Sequence, residues 1–250
     1  MSRLRLIDCH AGICLANAGD QSAPGAAIAA EMARLHIEGA LVRPFPDKDT
    51  FDAPAANARL FEICHGLPAL TPCPIAVPNS ACDLQSEPDM VGDFIARGAR
   101  CVLIRPAPDY WLPVPWVAER LFLALQDRRM PVLCLESALG LEKVWELAQR
   151  YPQLPLILAG VGYRALRSLV GLLEACPNVR VCTGGAFSIH CGLEFLAQRV
   201  GIQRLIFGTG YPETEAMAAV TMLMYSDLSP AERELVGHGN IQRLFEEVRQ

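Results

Sequence analysis

At 250 residues the chain matches the usual length of one eight-stranded α/β barrel and can bury a sizeable core. Its 52% hydrophobic and 20% charged residues exclude a disordered tail protein. A formal net charge of −5 with no long basic run makes nucleic acid an unsuitable partner.

Read in chain order, short continuous apolar runs alternate with amphipathic segments. The runs are Leu4–Asp8, Gly39–Arg43, Cys73–Val77, Cys101–Arg105, Val132–Glu136, Leu156–Ala159, Val179–Thr183 and Leu205–Gly208. They are continuous rather than alternating, as strands buried on both faces must be. Val144, Leu147, Ala148 and Tyr151 form a helical stripe after the fifth run, and Leu193, Leu196, Ala197 and Val200 form another after the seventh. Gly98 and Gly201 stand where helices close in a left-handed residue before a strand. Ser229-Pro230-Ala231-Glu232 has the pattern of a capping box, and Asn240 is placed to cap a last helix bearing Leu244, Phe245 and Val248. Eight such units predict a single (β/α)8 barrel domain over residues 1–250 with extra C-terminal helices, an open doubly wound sheet being the competitor.

The ten cysteines lack CxxC pairing, and Cys9, Cys101, Cys134 and Cys182 fall inside strand runs as small hydrophobes. That usage points to a reducing, cytoplasmic setting. Asp8 and His10 interrupt the apolar stretch within Met1–Gly19 that follows Arg3 and Arg5, which makes a poor leader core, and no apolar run reaches the length of a membrane span.

Several segments resemble the metal-dependent amidohydrolases, specifically their second family of hydrolases and decarboxylases. Leu6-Ile7-Asp8-Cys9-His10-Ala11-Gly12 is similar to the opening strand that ends in His-x-His. Tyr151 to Gly162 resembles the sixth-strand motif, Arg204 to Pro212 the eighth, and Leu228-Ser229-Pro230 through Gly239-Asn240 to Phe245 the closing helices. The resemblance implies a TIM barrel whose metal ligands fall, in order, on His10, Gly12, about Leu135 beside Glu136, Gly160 and Gly210. A divalent ion needs three or four nitrogen or oxygen donors, and glycine has none to give. The expectation is therefore a degenerate metal site with no cofactor, zinc or another divalent metal being the alternative.

A barrel collects its strand ends at one mouth. Asp8 and His10, Arg43, Arg105 and Glu136 arrive there from the first, second, fourth and fifth strands, with Thr183 and His190 after the seventh and Tyr211 after the eighth. Two guanidinium groups favour a small anionic metabolite. Asp8 can orient His10 and raise its pKa for acid/base work, and a partly buried Glu136 can shuttle protons. The plain alternatives are a core histidine at position 10 and structural pairs, Arg43 with Glu136 or Arg105 with Asp8. His36, His65 and His238 read as helix-end or structural residues. Gly184-Gly185 and Gly208-Thr209-Gly210 raise the further idea of backbone amides cradling a phosphate. Tyr110-Trp111 and Pro113 to Trp116 form an apolar loop that can cover the mouth, meet a second subunit in a homodimer, or pack inward.

Three functions follow. The first is a metal-independent barrel that binds, and slowly converts, a small anion. The second is a metal-dependent hydrolase or decarboxylase with rearranged ligands Asp8, His10, Glu136 and His190. The third is a non-catalytic binding or assembly partner.

Overall fold

The computed structural model describes residues 4–15, 25–45 and 52–250, so Arg3 and part of the Met1–Gly19 stretch lie outside it. Among the described residues eight strands are present: β1 (Ile7–Cys14), β2 (Gly39–Phe45), β3 (Leu70–Pro72), β4 (Val102–Ile104), β5 (Val132–Leu135), β6 (Leu156–Ala159), β7 (Val179–Cys182) and β8 (Leu205–Ile206). Between and after them come α1 (Ala26–Leu35), α2 (Ala53–His65), α3 (Glu87–Ala96), α4 (Pro115–Asp127), α5 (Glu136–Leu139) and α6 (Leu141–Arg150). They are followed by α7 (Leu166–Ala175), α8 (Gly192–Val200), α9 (Ala216–Met224), α10 (Pro230–Glu234) and α11 (Asn240–Glu246).

All strand pairs are parallel, in the orders β1-β2-β3 and β4-β5-β6-β7-β8. Backbone hydrogen bonds join the two sheets into a ring. On one seam Ile75 bridges Leu103, with Leu103 N–H donating to Pro74 O at 2.8 Å and Ala76 N–H to Leu103 O at 2.9 Å. On the other, Cys9 N–H donates to Phe207 O at 3.0 Å and Gly210 N–H to His10 O at 2.8 Å. The interior is packed with side chains such as Leu41, Leu103, Leu133, Ile157 and Ile206, and a larger apolar shell lies between strands and helices.

Most strands differ from the expected runs by one or two residues at an end, and two depart further. β1 starts at Ile7 instead of Leu4 and runs on to Cys14, because Ala11 to Cys14 keep pairing with β2 as far as Phe45. Within it Asp8 faces Ala40 and Ala11 faces Val42, so Cys9 and His10 together oppose Leu41. That is a β-bulge, the device that inserts one residue and re-aims a side chain. β3 ends at Pro72, short of the expected Cys73–Val77. Pro72, Pro74 and Pro78 have no N–H to donate, which leaves Ile75 to make an isolated bridge. The buried Asn57 amide supplies the missing partners, accepting from Ile75 N at 2.7 Å and donating to Ile75 O at 2.8 Å.

The helical stripes fall as expected, with Val144, Leu147 and Ala148 buried on α6 and Leu193 and Leu196 on α8. Gly98 and Gly201 have φ of 93° and 92°. Ser229 and Glu232 form the reciprocal capping box of α10. Asn240 is not a cap: the chain passes from α10 through a π-helical turn, 235–239, straight into α11 with Asn240 in helical geometry. Its amide instead donates to Ile202 O at 2.9 Å and Leu205 O at 2.8 Å, tying the closing helices to the entry of β8. Cys9, Cys101, Cys134 and Cys182 are fully buried, and the ten cysteines form no disulfide with one another. No helix among the described residues is long and apolar enough to cross a membrane.

Candidate active site at the barrel mouth

The β1 bulge places His10 deep in the ring, 4% exposed, beside Arg43 of β2 at 1%. Both imidazole nitrogens of His10 and Nε of Arg43 are buried and meet no hydrogen-bond partner among the described residues. An unpaired buried polar atom forfeits about 1–3 kcal/mol, so such groups cluster where something other than the chain completes the site. Burial and then the neighbouring Arg43 charge hold the His10 pKa down at about 3, so the ring is neutral at pH 7.

Asp8 does not orient that ring, contrary to the expectation from sequence. Its Oδ1 accepts from the backbone N–H of His10 and of Thr209, each at 2.9 Å, and its Oδ2 accepts from Thr209 Oγ1 at 2.5 Å. Burial pushes the Asp8 carboxyl up, and the Thr209 and His10 hydrogen bonds draw it partly back. Asp8 is a clasp between β1 and the loop after β8. His10, lacking a carboxylate partner, has its pKa lowered rather than raised.

The low His10 value makes stability sensitive to acid. An unfolded histidine titrates near 6.5, so between about 6.5 and 3 the unfolded chain binds a proton that the folded chain refuses. Stability at this site is therefore complete above about pH 6.5 and falls with pH at up to about 1.4 kcal/mol per unit. His10→Gln should shed this part of the acid loss. Urea unfolding of both proteins at pH 7 and pH 5 checks it, since Asp8, whose raised pKa acts with the opposite sign, is common to both.

Neither structural pair expected for the arginines forms. Arg43 Nη2 donates to Glu213 Oε2 at 2.7 Å, not to Glu136, and its guanidinium lies 5.8 Å from the Phe45 ring centroid. The pair is lopsided, for the Arg43 side chain is 1% exposed and that of Glu213 48%. Arg105 meets Asp109, not Asp8, through Nε at 3.1 Å and Nη2 at 2.6 Å, with both side chains buried. A cavity of about 510 Å³ opens beside Asp109, lined also by Asp52, Pro78, Asp83, Tyr110 and Trp111. In the apolar loop after β4, Trp111 packs against Phe122 with ring centroids 6.4 Å apart, while Tyr110, Leu112 and Trp116 are exposed.

The remaining candidates divide. Glu136 is half-buried at the start of α5, and its carboxylate makes no hydrogen bond to a described residue. Tyr211 is half-buried; its N–H donates to Thr209 Oγ1 at 3.0 Å, and burial pushes its hydroxyl pKa up. Thr183 drops out, because strand alternation gives it the outward parity of Val179 and Val181, and its hydroxyl donates to Ile206 O at 3.3 Å. His190 is exposed on the loop before α8, with Nε2 3.5 Å from Cys191 Sγ. Asp8, His10, Glu136 and His190 therefore do not converge, and no three His, Cys, Asp or Glu side chains among the described residues are grouped to hold a metal.

The glycines are equally definite. A Cβ on Gly12 would meet Phe45 Cβ at 2.9 Å and Pro212 Cδ at 3.1 Å. One on Gly210, where φ is +75°, would meet Thr214 Oγ1 at 2.6 Å and Gly185 Cα at 3.0 Å. Gly160 has open space but a φ of +79°, and Leu135 is buried among apolar interior side chains. Three of the loop amides that would cradle a phosphate are taken within the chain. Thr209 N–H is taken by Asp8, Gly185 N–H by Thr209 O at 3.0 Å and Gly210 N–H by His10 O at 2.8 Å.

Sequence reading missed Glu213 and Asp109, the carboxylates that answer the two arginines. Asp109 carried a signal, lying four residues after Arg105 in a proline-bounded loop. Glu213 carried only its position just past Tyr211-Pro212.

A family model described as amidohydrolase matches residues 7–246. Among solved structures, 5-carboxyvanillate decarboxylase from Sphingomonas paucimobilis superimposes with a TM-score of 0.75 at 14% identity, over 98% of this chain and 99% of that one. A TIM-barrel protein from Bordetella bronchiseptica gives 0.72 at 16% identity over 98% and 99%. A dihydroxybenzoic acid decarboxylase from Polaromonas, with bound manganese and the inhibitor 2-nitroresorcinol, gives 0.71 at 13% over 98% and 97%. At such identities the likeness establishes the (β/α)8 fold. No curated protein matches the sequence.

Proposed function

The chain belongs to the amidohydrolase family, and from that premise we propose that it binds a small carboxylic acid at Arg43 without a divalent metal and converts it through His10. The observation that carries the reading is the buried pair His10 and Arg43, three of whose nitrogens lack any partner in the described chain. A metal is a poor fit for those residues. Of the family's ligand positions only His10 has a donor, and Phe45, Pro212, Thr214 and Gly185 stand where side chains at 12 and 210 would have to go. One imidazole cannot offset the dehydration of zinc or manganese.

Arg43 suits a carboxylate because its guanidinium is always charged and offers a planar fork of donors. Glu213 occupies part of that fork from a half-exposed loop, so it can swing into water while Arg43 stays buried. A ligand carboxylate then takes the place of an internal one, and no net charge is buried. Neutral His10 presents one donor and one acceptor, suited to a hydroxyl or carbonyl on the same ligand and to moving a proton there. Solved relatives titled as decarboxylases of 5-carboxyvanillate and 2,6-dihydroxybenzoate support a hydroxylated aromatic acid as the class to try first.

The test is calorimetric titration with a panel of hydroxybenzoates, before and after exhaustive chelation. Binding that survives chelation supports the reading; binding that returns only with added manganese or zinc overturns it. Glu213→Gln removes the internal competitor and is expected to tighten binding by about threefold to tenfold, the range an ion pair with one exposed partner allows. Unchanged or weaker binding in that variant would remove the exchange step.

A further inference from the structure

Away from His10 and Arg43, the chain sets a nucleophile against a base. Seven of the ten cysteines are buried, whereas Cys14, Cys82 and Cys191 are exposed. Cys191 differs in its setting. Its Sγ lies 3.5 Å from Nε2 of His190, itself exposed, so base and thiol share one patch of surface open to solvent. It is also the residue that enters α8, a nine-residue helix with no side chain capping its first amides. The loop that carries both residues leaves β7 at the C-terminal end of the strand, on the rim of the barrel mouth.

We propose that Cys191 and His190 form a thiol–imidazole pair that makes Cys191 the chain's site of thiol–disulfide exchange with low-molecular-weight disulfides. In the step, Nε2 of His190 takes the thiol proton and the thiolate attacks one sulfur of the disulfide R–S–S–R. The Cys191–S–S–R bond forms as the R–S–S–R bond breaks. The departing thiolate takes the proton from the imidazolium and leaves as RSH. The incoming disulfide is the oxidant, one of its sulfurs leaving as a thiol, so electrons and protons balance. The base is in place to take the proton as the sulfur attacks. The carboxylic acid site at Arg43 has no part in this chemistry.

Glutathione disulfide is the probe, followed by intact-mass and peptide mapping of the full chain at pH 7. Cys191 is expected to form its mixed disulfide about tenfold faster than the exposed Cys82, and His190→Gln should bring it down to that rate. Cys191→Ser should abolish the fast phase while leaving the folded circular dichroism spectrum in place. Equal rates at Cys191 and Cys82 would overturn the proposal. So would a Cys191 rate in the His190→Gln protein within twofold of the parent, since exposure alone would then account for it.

Discussion

Gly184→Ala is expected to yield little or no folded protein. A Cβ there would fall on the carbonyl of Gly208, inside contact distance of both its oxygen and its carbon, and 2.9 Å from Thr209 N. Every atom it meets is backbone, so no side-chain rotation relieves the clash. The loops after β7 and β8 would have to part. That would break the hydrogen bonds from Thr183 N to Ile206 O at 2.9 Å and from Gly185 N to Thr209 O at 3.0 Å. It would also drag Thr209 from the Asp8 carboxylate, leaving a buried acid without its donors. Losses of this kind exceed about 4 kcal/mol, a large share of the 5–15 kcal/mol that holds a domain folded. Gly92→Ala on α3, where nothing lies within 4 Å, is the control and should stabilise by about 0.5–1 kcal/mol. Soluble yield and urea midpoints of the two variants measure the contrast. A Gly184→Ala protein within 1 kcal/mol of the parent would mean the loops are not packed as described.

Arg43→Met should do the reverse, sparing the fold and removing the ligand. Methionine keeps much of the arginine stem's volume inside the ring, and Glu213, freed of its partner, is exposed enough to find water. The variant also relieves the buried Arg43 charge beside His10, which adds to the suppression of the imidazole pKa. Removing the charged fork from a desolvated site costs about 3 kcal/mol of binding, or about a hundredfold in Kd. Calorimetry with whichever hydroxybenzoate the parent binds, alongside a urea melt, separates the two effects. Loss of binding at unchanged stability fits Arg43 as the carboxylate's seat. Retained affinity would place the ligand elsewhere in the mouth.

The order of the barrel was legible because its strands are buried on both faces and therefore appear as unbroken apolar runs. Leu156–Ala159 was read to the residue. Errors came where backbone pairing, not side-chain pattern, sets the limits. Alternate prolines in the segment from Pro72 to Pro78 deny β3 its donors, and the bulge lengthens β1 past two polar residues that look like an ending. The mouth shows the same division. His10, Arg43 and Arg105 stand on strands, so parity and direction brought them inside. Thr183, one residue further along β7 than Cys182, faces the wrong way by that same parity. What the arginines touch depends on loops, and no periodicity reports that Glu213 reaches across 170 positions to Arg43. Asp8 was recognisable as polar in an apolar run, but its role as a clasp depends on Thr209, which is distant in sequence.

The left-handed turn at Gly210 bears on how such a chain can change over generations. A single codon turning that glycine into aspartate would not supply a ready carboxylate there. The new side chain would start from a backbone shape that favours glycine and collide with Thr214 Oγ1 and Gly185. Position 12 is walled in by Phe45 and Pro212 in the same manner. Placing side chains at both positions would need several neighbours to yield at once, each change unhelpful alone.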